Sequence, residues 1–377
     1  MRCLANAMLI NPKTRQMFVD LEYEAKACGK LKNDNRDDEF LVSRILFLTT
    51  YETNINLLTL ITKHHLAETV VQNLARHADH FSRKGASPNV DPMAGMAITE
   101  TAKLLFNVTH FCPEKASAFA PAIPHILTVL CKRDLPATKP LDPPFGSLVN
   151  VLLNLDLAGA DAATALYPKG APDTVVERLI QLLDLSLRKY GDDDVEQTVT
   201  PLIGVIRIIH ETAPAGVQKY LRGKLLPTEE DRREVLGRGD SLSARLLRNS
   251  ANPITPEFRK ASSHLLFDMS DKDASKFVQN VGYGFASGFL FQNDIPVPEA
   301  ASQPYRTGIT DAGARPINPI TGQFADLESH PDLPEMTDEE KEREAERLFV
   351  LFERLVSLWG SNPFVADTSQ AEEDGHR

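Results

Sequence analysis

The sequence predicts an all-α chain: an armadillo- or HEAT-like helical solenoid followed by a C-terminal extended segment and an amphipathic helix. Three observations carry this reading. Apolar residues recur at helical spacing almost throughout, and strand-like alternation between turn signals is nearly absent. A set of similar apolar cores also returns at roughly 45 to 60 residues, the range of two- and three-helix repeats. These cores are Leu4-Ala5-Asn6-Ala7, Leu46-Phe47-Leu48-Thr49, Leu105-Phe106-Asn107-Val108, Leu153-Asn154-Leu155, Ile206-Arg207-Ile208-Ile209 and Leu265-Leu266-Phe267. A repeat of this kind cannot bury its apolar face alone and must stack on its neighbours.

In chain order, helical patterning is under way from Arg2 to Ile10 with no capping residue ahead of it. Further helices are expected over 37–49, 55–78, 99–111, 120–131, 146–157, 174–190, 195–211, 241–248, 256–269 and 274–281, many closed by Pro, Gly or Asn. Two loops, 81–97 and 135–144, read as surface excursions. Residues 292–334 are rich in proline and poor in large apolar residues, so they should run extended over the solenoid. Thr337 then caps a helix with Glu340 at the capping-box position. Its apolar face carries Ala345, Leu348, Phe349, Leu351, Phe352, Leu355, Val356 and Trp359. The expected organisation is a repeat array over 1–290, a linker over 291–334, the helix over 335–360 and a disordered tail over 361–377.

Composition narrows the function classes. With 41 basic and 52 acidic side chains, net −11, the chain has no general attraction for nucleic acid or an anionic membrane. Arg232, Arg233, Arg238, Arg245 and Arg248 could still gather into a local basic patch. Cys3, Cys28, Cys112 and Cys131 lack metal-ligand or CxxC spacing and read as reduced thiols. No apolar run reaches the ~18 residues of a membrane span, and a cytoplasmic protein is expected, one found also at the cell cortex.

Chemical motifs are weak. Gly282-Tyr283-Gly284-Phe285-Ala286-Ser287-Gly288 imitates a dinucleotide loop, but a helix and not a strand precedes it, so its glycines read as a tight turn with close helix approach. There is no phosphate loop of the GxxxxGK[ST] type, and His64-His65 is not spaced as a metal pair. Asp192-Asp193-Asp194 reads as a solvated charge run. No nucleophile sits with a base, so bond-making chemistry, cofactors and metals are not expected. Asparagines on the repeat cores, Asn6, Asn107, Asn150 and Asn154, either line a ligand groove or bond carbonyls within their own helices.

Three stretches give a more specific signal: Phe277-Val278-Gln279-Asn280-Val281-Gly282-Tyr283-Gly284, Ile317-Asn318-Pro319-Ile320-Thr321-Gly322, and Met336-Thr337-Asp338-Glu339-Glu340-Lys341-Glu342. Together with the repeat cores, in the same order over nearly the whole chain, they resemble the synembryn family of exchange factors and folding chaperones for heterotrimeric G-protein α subunits. The resemblance implies a groove that holds the C-terminal helix of Gα, and a C-terminal appendage that contacts its switch region. It implies Asn6, Phe47, Phe106 and Asn107 as groove contacts, with Asn150 and Asn154 continuing the series and Lys276 as a basic contact. Gln279 stands where a lysine is expected. The implied partner is a Gα subunit, GDP-bound or nucleotide-free, met by a monomer that reaches the membrane through the G protein. The family also carries roughly a hundred residues before the position of Arg2. The alternative is a non-catalytic armadillo or HEAT scaffold.

Overall fold

In the computed structural model, residues 1–82, 91–297, 315–328, 341, 343–347 and 350 are described. The helices begin with α1 (Arg2–Ile10), α2 (Pro12–Asp20), α3 (Tyr23–Leu31), α4 (Arg36–Thr49), α5 (Leu57–Thr62) and α6 (Leu66–Ser82). They continue with α7 (Pro92–Phe111), α8 (Ile123–Lys132), α9 (Phe145–Asn154), α10 (Ala160–Leu166), α11 (Thr174–Lys189) and α12 (Asp192–Asp194). The last are α13 (Thr200–Thr212), α14 (Ala215–Leu225), α15 (Leu242–Ser250), α16 (Pro256–Met269), α17 (Ala274–Val281) and α18 (Tyr283–Gln292). Among the described residues there is no strand, only an isolated bridge between Ile317 and Phe324.

Met1–Leu327 form one compact unit, in which the helices stack in solenoid fashion. The helices α1, α4, α7, α9, α13 and α16 pack successively against one another, and each carries one of the six repeated cores. A second row, α3, α6, α8, α11 and α15, packs behind them. One continuous apolar core runs from Cys28 to Leu290, and a smaller cluster around Met8, Phe18, Ile45 and Leu48 lies under the first helices.

Local chemistry sets the boundaries. Asn35 caps α4 through the amides of Asp37 and Asp38, and acidic residues fill its first turn, where the helix dipole favours them. The helix expected from residue 99 starts at Pro92 instead: Asp91 accepts from the Met93 amide, and proline at the first position loses no hydrogen bond. Much of the expected excursion 81–97 is therefore helix. The single helix expected over 55–78 is broken, because His65 takes a left-handed φ of 54° and restarts the chain as α6. The N-terminal part of the expected 195–211 helix, Val195–Val199, is π-helical. The 120–131 helix is entered through a 3-10 segment, Pro113–Ala122.

Neighbouring helices also cap each other. Glu196 accepts from the amides of Glu257 and Phe258 in the first turn of α16, at 2.9 and 3.0 Å. Arg178 of α11 donates to the carbonyls of Leu130, at 2.8 Å, and Arg133 at the end of α8. Between the rows lies a buried polar knot. Both Glu39 oxygens lie 3.0 Å from His77 Nε2, and one accepts from Thr101 at 2.9 Å, the other from Arg76 at 3.0 Å. Burial alone would raise the Glu39 carboxyl, but hydrogen bonds from His77 and Thr101 with the His77 and Arg76 charges hold it below its ordinary value.

Burial raises the Cys28 thiol to about 12, and burial with the Glu114 carboxylate raises Cys112 to about 11. All four cysteines are free. No described helix is long and apolar enough to cross a membrane.

Glu328–Arg377 form a second unit. Residues 343–347 are helical and exposed, with Arg347 3.8 Å from Glu344. The Thr337 cap and the apolar positions Leu348, Phe349, Leu351, Phe352, Leu355, Val356 and Trp359 lie outside the described residues.

Candidate partner-binding face

Stacking buries most of each core helix, but along one edge of the front row the other described residues leave apolar side chains only partly covered. There α4, α7, α9, α13 and α16 place the half-buried Phe47, Phe106, Leu153, Ile208 and Phe267. All five pack against the core on one side. Phe47 meets Tyr51 edge-on at 5.2 Å, with Lys103 Nζ 5.9 Å from its ring centroid. Phe106 stacks on His110 at 6.0 Å with the rings nearly parallel. A methyl group on Gly204 would sit 2.9 Å from Leu153 Cδ2, so glycine lets α13 approach α9 there. Aligning the six repeated cores in register would have found Leu153, Ile208 and Phe267; attention to the two phenylalanines alone did not.

The asparagines divide. Asn107 is buried, and its Nδ2 donates to Thr50 Oγ1 of the preceding unit at 2.7 Å. Asn154 Nδ2 donates to the Phe106 carbonyl at 3.0 Å and to Thr109 Oγ1 at 3.2 Å. Both amides therefore pin one front-row helix to the one before it, an arrangement that neither reading of the asparagines contained. Asn6 is exposed on α1 and Asn150 half-buried on α9, and neither side chain bonds a described residue.

Lys276 is exposed on α17, and its Nζ is 2.6 Å from Asp271 Oδ2. Asp271 also receives Arg222 at 2.6 Å, and hydrogen bonds from Lys276 and Arg222 hold its carboxyl below the ordinary range. Asp271 and Lys272 take φ of 59° and 57° in the turn between α16 and α17.

The suspected basic patch is not one. Arg245 pairs with Asp184 at 2.9 Å, Arg248 donates to the carbonyls of Gly237 and Gly239, and Arg233 pairs with Glu230 at 3.1 Å. Arg232 is buried and donates to the carbonyls of Gly322, Gln279 and Asn280, each at 2.9 Å. Nothing in the sequence marks it, since an arginine between charged neighbours reads as surface.

Arg232 is the centre of a clasp. The Ile317–Gly322 segment passes over the Gly282-Tyr283-Gly284 turn, where Tyr283 N donates to the Pro319 carbonyl at 2.7 Å and Gly284 N to that of Ile320 at 3.1 Å. Leu236 N donates to Thr321 O, Phe324 N to Arg232 O, and Gln323 Nε2 to Arg233 O. Gly282 has φ of 81°, and a methyl group there would lie 3.1 Å from Ile320 O; one on Gly322, φ 68°, would collide with Leu236. Of the expected tight turn with close helix approach, the turn is present at Gly282 alone, because Gly284 and Gly288 lie within α18, and the close approach is to a loop and not to a helix.

The residues of this clasp and of the front row lie within a longer match. The profile of the family described as guanine nucleotide exchange factor synembryn matches residues 1–358. This chain belongs to the synembryn family. Similar proteins include the chaperone Ric-8A of Macaca fascicularis, 25% identical over 383 residues that cover 94% of this chain and 70% of the relative. The chaperone Ric-8A of Xenopus tropicalis is 28% identical over 68% of this chain and 50% of the relative. A synembryn-like chaperone of Schizosaccharomyces pombe is 27% identical over 55% of this chain and 42% of the relative.

Proposed function

We propose that this synembryn-family chain is an exchange factor and folding chaperone for G-protein α subunits. The half-buried apolar edge Phe47, Phe106, Leu153, Ile208 and Phe267 is the observation that carries the reading. Amphipathic helices bind such edges through apolar anchors spaced along one face. Asn6 and Asn150 add free amides to the same row of helices, and Lys276 a charge at its far end. Asn107 and Asn154 act indirectly, by fixing the spacing of the helices that present the anchors.

Catalysis is conformational and makes no bond: the chain binds nucleotide-free Gα better than the GDP form, and that difference alone sets how far it shifts the equilibrium. No cofactor is required. The chain works as a cytoplasmic monomer and meets the membrane through its partner. The array over 1–290 supplies the groove, the linker and the amphipathic helix a second contact.

The experiment is release of labelled GDP from purified Gα. The chain should accelerate release, and Phe106→Ala should cut the acceleration at least about tenfold, the loss expected of an aromatic anchor. Binding without acceleration would leave the armadillo or HEAT scaffold reading, and neither binding nor acceleration would remove the proposal.

A further inference from the structure

Beside the α16 end of the apolar edge, a recess of about 560 Å³ opens between the end of α15, α16 and α18. No carboxylate of a described residue lines it, in a chain with eleven more acidic than basic side chains. Its polar lining is Arg259, Lys260 and His264 from α16, with Ser263, Ser287 and Gln292, and with Ser250 and Asn293, which already donate to the carbonyls of Leu247 and Phe289. Nearby cations are spoken for, Arg207 by Asp268, Arg222 and Lys276 by Asp271, and Lys272 by Glu211. Arg259 and Lys260 pair with no described residue, and the side chains of Ser263, Ser287 and Gln292 bond none. Burial together with the Arg207 and Lys260 charges lowers the basicity of His264, despite Asp268. An uncompensated set of this kind attracts a compact anion.

The walls narrow the ligand class. Phe289 is buried and engages His264, Phe267 and Phe277 at 4.9, 5.1 and 5.6 Å, so its ring offers no open face for a nucleobase. The other aromatic of the lining, half-buried Phe285, packs its ring tip on Gly237, where a methyl group would lie 2.8 Å from Phe285 Cζ. The surrounding backbone is helical and internally bonded, so no strand edge receives an extended peptide. What remains is room, cations and hydroxyl-sized polar partners. A methyl group on Gly288 would meet nothing within 4 Å, which leaves part of the recess open on the α18 side.

We propose that this recess binds a phosphomonoester of a small polyol, of the inositol phosphate class, with Arg259 and Lys260 on the phosphate and Ser263, Ser287 and Gln292 on the ring hydroxyls. The ester is either free or the headgroup of a lipid. This reading is independent of the action on Gα.

The test titrates the full chain with inositol trisphosphate by calorimetry, beside inorganic phosphate and a phosphoserine peptide. Flotation with phosphatidylcholine vesicles, with and without phosphatidylinositol bisphosphate, separates the lipid source from the free one. Saturable one-to-one binding is expected, weakened at least tenfold by Arg259→Gln with Lys260→Gln. Gly288→Leu, which fills the recess and leaves the cations in place, should weaken it as much, while the exposed Arg238→Gln should leave it unchanged. Absence of saturable binding to either form, undiminished binding by the double variant or by Gly288→Leu, or preference for the phosphopeptide or for bare phosphate would overturn the proposal.

Discussion

The front row of helices and the Arg232 clasp hold the chain together in opposite ways. In the front row, apolar burial supplies the adhesion and single polar bonds such as Asn107 to Thr50 only set register. In the clasp, Leu236 and Phe324 are buried, but the polar organisation is central: a buried guanidinium satisfies three carbonyls belonging to two distant segments. A repeat edge can lose one polar bond and remain packed, whereas the clasp is held by a set of polar bonds gathered around one buried cation, so loss of that cation removes three of them at once. The front row can therefore expose an apolar edge to a partner, and the clasp cannot spare a group.

Removing the centre of the clasp should have the largest effect. Arg232→Met leaves the Gly322, Gln279 and Asn280 carbonyls without their donor, and should cost about 4 kcal/mol in urea unfolding. Hydrogen exchange should place the loss at residues 279–284 and 317–324; uniform loss across the array would contradict the clasp. Gly322→Ala attacks the same clasp from the loop side. Its left-handed φ and the collision with Leu236 should cost about 3 kcal/mol, read as a lowered melting temperature.

On the repeat side, the buried Glu39 knot should respond to pH. Its carboxyl is held low in the folded state, so it stabilises the fold above the ordinary glutamate value of 4.5, and the contribution is lost as pH falls through the lower folded value. Glu39→Gln should cost about 2 kcal/mol at pH 7 and flatten the acid limb of the stability curve. Asn107→Ala, the mildest change, should cost about 1 kcal/mol, because the neighbouring helices stay packed when one pin is lost. A cost for Asn107→Ala equal to that of Arg232→Met would erase the contrast between the two regions.

The repeated cores were legible because six front-row helices obey one apolar pattern, and these helices form the stacked row. Short α2, α3 and α10 show no period because each buries only one or two residues, whereas α14 buries Val217, Leu221 and Leu225 at helical spacing and was legible in the sequence. The α7 start is hard to read because Pro92 suits a loop, although proline after aspartate equally opens a helix. The candidate site was half legible. Phe47 and Phe106 stand out as aromatics, whereas Leu153, Ile208 and Phe267 look like any core residue until stacking shows which edge stays uncovered. Arg232 was illegible in principle, since its three acceptors are main-chain atoms up to 90 residues away, and no side-chain pattern encodes them.

The capping of one helix by its neighbour bears on how the molecule comes apart. Glu196 closes the start of α16, and Arg178 the end of α8, so a unit that melts takes away its neighbour's cap as well as its packing surface. In a nearest-neighbour description the interface terms then grow relative to the intrinsic stability of each unit. Partial unfolding becomes costly, and the array should lose its helices in a single cooperative step where a simpler stack would fray from its ends.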